Sequence, residues 1–141
     1  MGTPNSVIQP MQKIQNSSAC RILRAPRHQH CTPLLQQLHW LLISEQIKHK
    51  TACVCYNSVT GSAPSYLSEL LQLYSPSHSL CSSSDTGMLK FQHFICSLSY
   101  FSPHIENNLP QDIRHSTTPS SSKNKLKTFF FSEHLCVYMC V

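Results

Sequence analysis

A mostly α fold is predicted for this chain: a small, irregular fragment of three to four helices with a poorly ordered Ser/Pro-rich tail. Leucines recur at helical spacing between Thr32 and Tyr74, and recognisable helix starts and stops punctuate that same stretch. Beyond Tyr74 serine and proline crowd the sequence and the periodicity fades. These observations divide the chain into a disordered leader (1–9), a helical segment (10–74), an irregular region with possible short strands (75–120), and a short amphipathic helix with its tail (121–141).

In the helical segment, Met11, Ile14, Ser18 and Ile22 mark a first helix from Pro10 to Leu23, ended by Pro26. Thr32-Pro33 reads as an N-cap followed by proline at the first helical position, where the missing N–H costs nothing. Leu34, Leu35, Leu38, Leu41 and Leu42 come next on one face around the sole tryptophan, Trp40. Ser44 and Glu45 restart a helix, with negative charge at the positive end of its dipole. That helix is expected to bury Ile47, Val54 and Cys53 until Gly61 stops it and Pro64 prevents its continuation. Another begins near Ser62 or Ser65 and carries Leu67, Leu70, Leu71 and Tyr74 at i, i+3, i+4 and i+7.

Residues 75–90 read as a low-complexity loop, and a short strand or pair of strands is expected near Phe94–Phe101. Leu109-Pro110 breaks the chain. Thr117 to Ser122 forms a linker able to cap the next element, a helix over Lys123–Phe131. This helix sets Leu126, Phe129 and Phe130 against Lys123 and Lys127.

Composition limits the chemistry. Only 12% of residues are charged and the net charge is a mild +5, which permits contact with nucleic acid without arguing strongly for it. The carboxylates Glu45, Glu69, Asp85, Glu106, Asp112 and Glu133 form no pair for two-metal or acid/base work. Gly2, Gly61 and Gly87 build no phosphate-cradling loop. The expectation is a non-enzyme without a cofactor.

Eight cysteines accompany nine histidines, but no C-x₂-C or H-x₃-H zinc frame appears, so no metal site is assigned. His49 and Cys53 share a helical face, and His134, Cys136 and Cys140 form a loose cluster. A zinc-binding interaction domain is therefore retained as a third reading. No secretory leader is read in Met1–Pro10, so the thiols are expected to be reduced and the protein intracellular, cytoplasmic or nuclear, without a membrane span. Gly2 with Ser6 matches a loose acylation pattern, and Asn16-Ser17-Ser18 a glycosylation sequon. Candidate nucleic-acid contacts are Arg21, Arg24 and Arg27 at the end of the first helix and Lys123, Lys125 and Lys127 in the tail. An ordinary solvated, dipole-complementing surface is the competing explanation for both groups.

Three blocks occur in a suggestive order: MQKIQNSSACRIL at 11–23, CTPLLQQLHWLL through SAPSYLSELL at 31–71, and FSPHIENNLPQDIRHSTTPSSSKNKLKTFFF at 101–131. Together they resemble the carboxyl-terminal segment of the reverse transcriptase polyprotein of non-LTR, LINE-type retrotransposons, over most of residues 8–131. In that family the segment comes after the polymerase palm, whose Tyr-x-Asp-Asp motif has no counterpart here. The resemblance thus implies a non-catalytic remnant, with a small non-specific nucleic-acid-binding module as the alternative.

Departures from the family pattern imply decay. Leu42 stands in place of a proline, Gln46 of an arginine, Glu106 of a tryptophan and Ser122 of a phenylalanine, and the stretch between Leu80 and Phe101 looks shortened. A charged Glu106 is expected to leave residues 101–131 undocked, and Glu106→Trp with Ser122→Phe to protect them.

Overall fold

The computed structural model describes residues 3–26, 29–75, 88–91 and 98–139. Among them are α1 (Asn5–Ile22), α2 (Cys31–Gln37), α3 (Ile43–Val59), α4 (Ser65–Glu69), α5 (Leu98–Glu106), α6 (Gln111–Arg114) and α7 (Pro119–Met139). The mostly helical class stands, with seven helices among the described residues in place of three or four. The chain divides into two compact units, residues 3–47 and 48–141, with the boundary inside α3. No helix among the described residues is long and apolar enough to cross a membrane.

In the first unit, α1 begins at Asn5, within the expected leader. The Pro4 carbonyl accepts from Val7 and Ile8 (3.0 and 3.3 Å), closing a first turn upstream of Pro10. Pro10 therefore lies inside the helix rather than at its start. The exposed side of α1 also differs from expectation. Met11, Ile14 and Ile22 are exposed, and Ala19 is the buried residue, packing with Leu34 and Leu35 of α2. Cys20, Leu23, Leu38, Trp40 and Leu42 close around these three.

Two glutamines help set that rotation. The Gln12 side-chain carbonyl accepts the first helical N–H of α3, at Ile43 (2.9 Å), while Gln15 donates to the Leu41 carbonyl (2.8 Å). A helix start has N–H groups that no intrahelical carbonyl can satisfy, and Gln12 supplies one of the missing acceptors from 31 residues away. Pro33 is the third residue of α2, two places later than expected, and His30 occupies the N-cap. The whole first turn lacks intrahelical partners for its N–H groups, so proline is tolerated there as well.

Three helices end in the same hydrogen-bonded turn. After α1, Ala25 N–H reaches the Cys20 carbonyl (2.9 Å) and Arg24 N–H the Arg21 carbonyl (3.3 Å). After α2, Trp40 reaches Leu35 (2.8 Å) and His39 reaches Gln36 (3.0 Å). After α3, Ser62 reaches Asn57 (2.8 Å). The turn needs one left-handed residue, and Arg24 (φ 50°), His39 (φ 52°) and Gly61 (φ 73°) occupy that position.

In the second unit α3 buries Ala52, Cys55, Tyr56 and Ser58, while Val54 is exposed and Cys53 only partly covered. The expected Ile47/Val54 face is thus displaced to the Ala52/Cys55/Tyr56 stripe. α4 stops at Glu69, leaving Leu70 and Tyr74 exposed. Leu73 instead forms an isolated antiparallel bridge with Leu89, the only β pairing among the described residues. Asn107 completes the edge: its side chain accepts from Leu89 N–H (2.9 Å) and donates to the Leu89 carbonyl (3.1 Å).

Residues 98–101, expected in a strand, are the first turn of α5; residues 92–97 lie outside the described residues. Pro110 separates α5 from α6, a short helix in the region expected to be irregular. Thr118 caps α7, its hydroxyl accepting from Ser121 N–H (3.2 Å) with Pro119 first in the helix. α7 runs to Met139, well beyond the expected Phe131. Leu126 and Phe130 are buried as anticipated, with Leu89, Leu109 and Ile113. Glu106 and Ser122 are buried too, at 7% and 2% exposure, contrary to an undocked 101–131 segment.

Candidate functional site

The six candidate basic residues fall into separate places. Arg21 and Arg24, both exposed, line one cleft of about 660 Å³ with Asn16, Ser17, Cys20, Ala25 and Cys31. The left-handed turn at Arg24 brings these residues around the carboxyl-terminal end of α1, where cations complement the helix dipole. Arg27 lies outside the described residues.

Lys123, Lys125 and Lys127 are exposed on α7. At about 100° per residue, Lys123 and Lys127 share a side of the helix while Lys125 points about 200° away from Lys123. Lys125 Nζ donates to the Asp112 carbonyl (3.0 Å), and the Lys123 carbonyl lies 3.3 Å from His49 Nε2. The three lysines do not form one stripe for a phosphate backbone.

His49 and Cys53 meet as their spacing suggests, with Nε2 and Sγ 3.8 Å apart. Among the described residues no group of three or more His, Cys, Asp or Glu side chains converges as a metal would require. The side chains of His134, Cys136 and Cys140 lie outside those described.

Sequence reasoning missed a buried polar cluster in the second unit. Ser99, Ser102, Pro103 and Glu106 form the buried face of α5. Glu106 accepts from the Cys55 thiol, and the Arg114 guanidinium exerts a favourable field on it. Burial nevertheless outweighs both and pushes its carboxyl up to about 7. Burial and the nearby carboxyl likewise push Cys55 upward, keeping it a neutral thiol. A reactive cysteine needs the opposite environment, exposed and electropositive, so this cluster serves packing. The only signal that could have found it was the i, i+3, i+4, i+7 spacing of these α5 residues, invisible to a search for apolar periodicity.

Two further surfaces accompany these groups. Met11, Ile14, Gln15, Ser18, Trp40, Ile43 and Gln46 line a groove of about 450 Å³ in the first unit. Cys53, Tyr56, Asn57, Pro119, Ser120, Ser122 and Lys123 line a smaller one of about 150 Å³ in the second. Comparison with protein-family models, curated proteins and solved structures finds no match to the chain.

Proposed function

We propose that the chain is a non-catalytic remnant of a LINE-type retrotransposon reverse transcriptase protein, without a selected function of its own. The observation that carries this reading is the ordered occurrence of the three blocks at 11–23, 31–71 and 101–131. Translation of the flanking genomic DNA in all frames tests it. Polymerase-palm motifs upstream, intact or frameshifted, would support the origin; their absence over several kilobases would refute it. The chain should also fail to extend a primed RNA template with deoxynucleotides and Mg²⁺ or Mn²⁺, because it has no aspartate pair to hold the metals.

A second reading, weak and sequence-tolerant nucleic-acid binding, draws on Arg21 and Arg24 sharing a cleft. Counterion release would make that binding steeply salt-dependent. Charge reversal at Arg21, Arg24 and Arg27 should then flatten the salt slope. Tight, salt-insensitive binding to one sequence would overturn this alternative.

A further inference from the structure

The cleft beside Arg21 and Arg24 contains a feature that neither functional reading uses. Cys20, in the last turn of α1, and Cys31, the first residue of α2, line the same cleft, close enough that Cys20 bears on the ionisation of the Cys31 thiol. Both are free, only partly buried and open to the same cleft. Their proximity is built into the fold from both sides. Ala19 adjoins Cys20, and Leu34 and Leu35 lie one turn beyond Cys31; these three residues form the buried core of the first unit. The Ala25-to-Cys20 hydrogen bond turns the chain back at the end of α1. The thiols cannot separate far without disturbing that core.

The other described cysteines lack such an arrangement. Cys55 is fully buried beside Glu106, while Cys53 faces His49. On a helix, Cys53 and Cys55 project about 200° apart.

We propose that Cys20 and Cys31 are a dithiol–disulfide pair closed by a small-molecule disulfide of the glutathione type. The Cys20 thiolate attacks one sulfur of the external disulfide, forming a mixed disulfide and expelling one thiolate. The Cys31 thiolate then attacks Cys20 Sγ, forming the internal bond and expelling the second. Two protein thiols are oxidised and one external disulfide is reduced to two thiols. The two protons lost by the cysteines pass through solvent to the departing thiolates.

Arg21 and Arg24, exposed in the same cleft, favour this chemistry by attracting the carboxylates of a glutathione-like reagent. Burial and the neighbouring Cys20 push the Cys31 thiol upward, so Cys31 supplies less thiolate for the first attack. The contribution from Cys20 disappears once that sulfur enters the mixed disulfide.

The test uses the full reduced chain, equilibrated in glutathione buffers of decreasing thiol-to-disulfide ratio, quenched by alkylation and digested with trypsin. Cys20 and Cys31 fall on separate peptides, 14–21 and 28–48, so their bond appears as one cross-linked mass. That species should be the first internal disulfide to accumulate and should disappear on reduction. It should raise the Tm of the first unit by several degrees, because it closes a short loop in the unfolded chain. Cys20→Ser and Cys31→Ser should each abolish the cross-link and the Tm rise, with helicity checked by circular dichroism. A statistical mixture of pairs, a persistent glutathione adduct on either cysteine, or no 14–21/28–48 species would overturn the proposal.

Discussion

Glu106→Gln is the most direct probe of the second unit's packing. The substitution keeps the shape of the side chain and removes its ionisation. The Glu106 carboxyl is raised from 4.5 to about 7, chiefly by burial. Its folded-state value therefore exceeds its unfolded one, and the folded chain binds the extra proton between these limits. Stability is greatest below about pH 4.5, falls as pH rises through 7, and levels above it. The full difference is about 3 kcal/mol, taking 1.36 kcal/mol for each pH unit between the two values.

Urea unfolding of both chains from pH 4.5 to 8, monitored by circular dichroism, measures this effect. Subtracting the two curves cancels the other titrating groups. The advantage of Glu106→Gln should widen by about 3 kcal/mol between those pH limits. Peptide-resolved hydrogen exchange should locate the gain in residues 98–133. Parallel stability curves would refute the reasoning, because they would show that Glu106 titrates alike in the folded and unfolded chains.

The left-handed turns provide two predictions of opposite sign, both measured by chemical denaturation. Gly61→Ala should cost roughly 1–2 kcal/mol even though an added Cβ meets nothing within 4 Å, because the strain lies in the backbone (φ 73°). Arg24→Gly should raise the stability of the first unit by about 0.5–1 kcal/mol by relieving the left-handed arginine. Equal and negligible effects would place both residues in mobile turns rather than fixed caps.

Local stop signals were legible because their chemistry acts within a few residues: Gly61 ends α3 and Pro110 breaks the chain after α5, whereas residues 119–122, expected as part of a linker, open α7. The inward face of Leu126 and Phe130 was legible for the same reason, since lysines mark the opposite side of a short repeat. The rotation of α1 was not. Its apolar stripe suggested Met11, Ile14 and Ile22, but glutamine bonds to Leu41 and Ile43 and the small Ala19 contact favour another face.

The α5 helix was hidden by its buried serines, proline and glutamate, while Tyr100 and Phe101 suggested a strand. Leu73 and Leu89 could not be paired from periodicity, because one bridge has no repeat to read. In the candidate site, Arg21 and Arg24 were legible as a basic helix end. No spacing rule pairs Cys20 with Cys31, which are brought together by the turn between two helices.

Glu106 and Ser122 are both buried in the second unit, yet their surroundings differ and so should the effect of placing an aromatic side chain at each. Glu106 is packed against Cys55 and within the field of Arg114, so Glu106→Trp must place an indole where the fold already holds a polar cluster. Overpacking of this kind typically costs about 1–3 kcal/mol. Ser122, although its side chain is almost fully buried, adjoins the groove of about 150 Å³ bounded by Tyr56 and Pro119. Ser122→Phe can extend its ring into that space, and filling a cavity commonly adds about 0.5–2 kcal/mol. Hydrogen exchange on the two single variants should therefore show greater protection of residues 101–131 for Ser122→Phe and less for Glu106→Trp. A loss of protection with Ser122→Phe would show that the groove cannot admit the ring. A gain with Glu106→Trp would show that the polar cluster yields readily to an aromatic anchor, contrary to its role in packing α5.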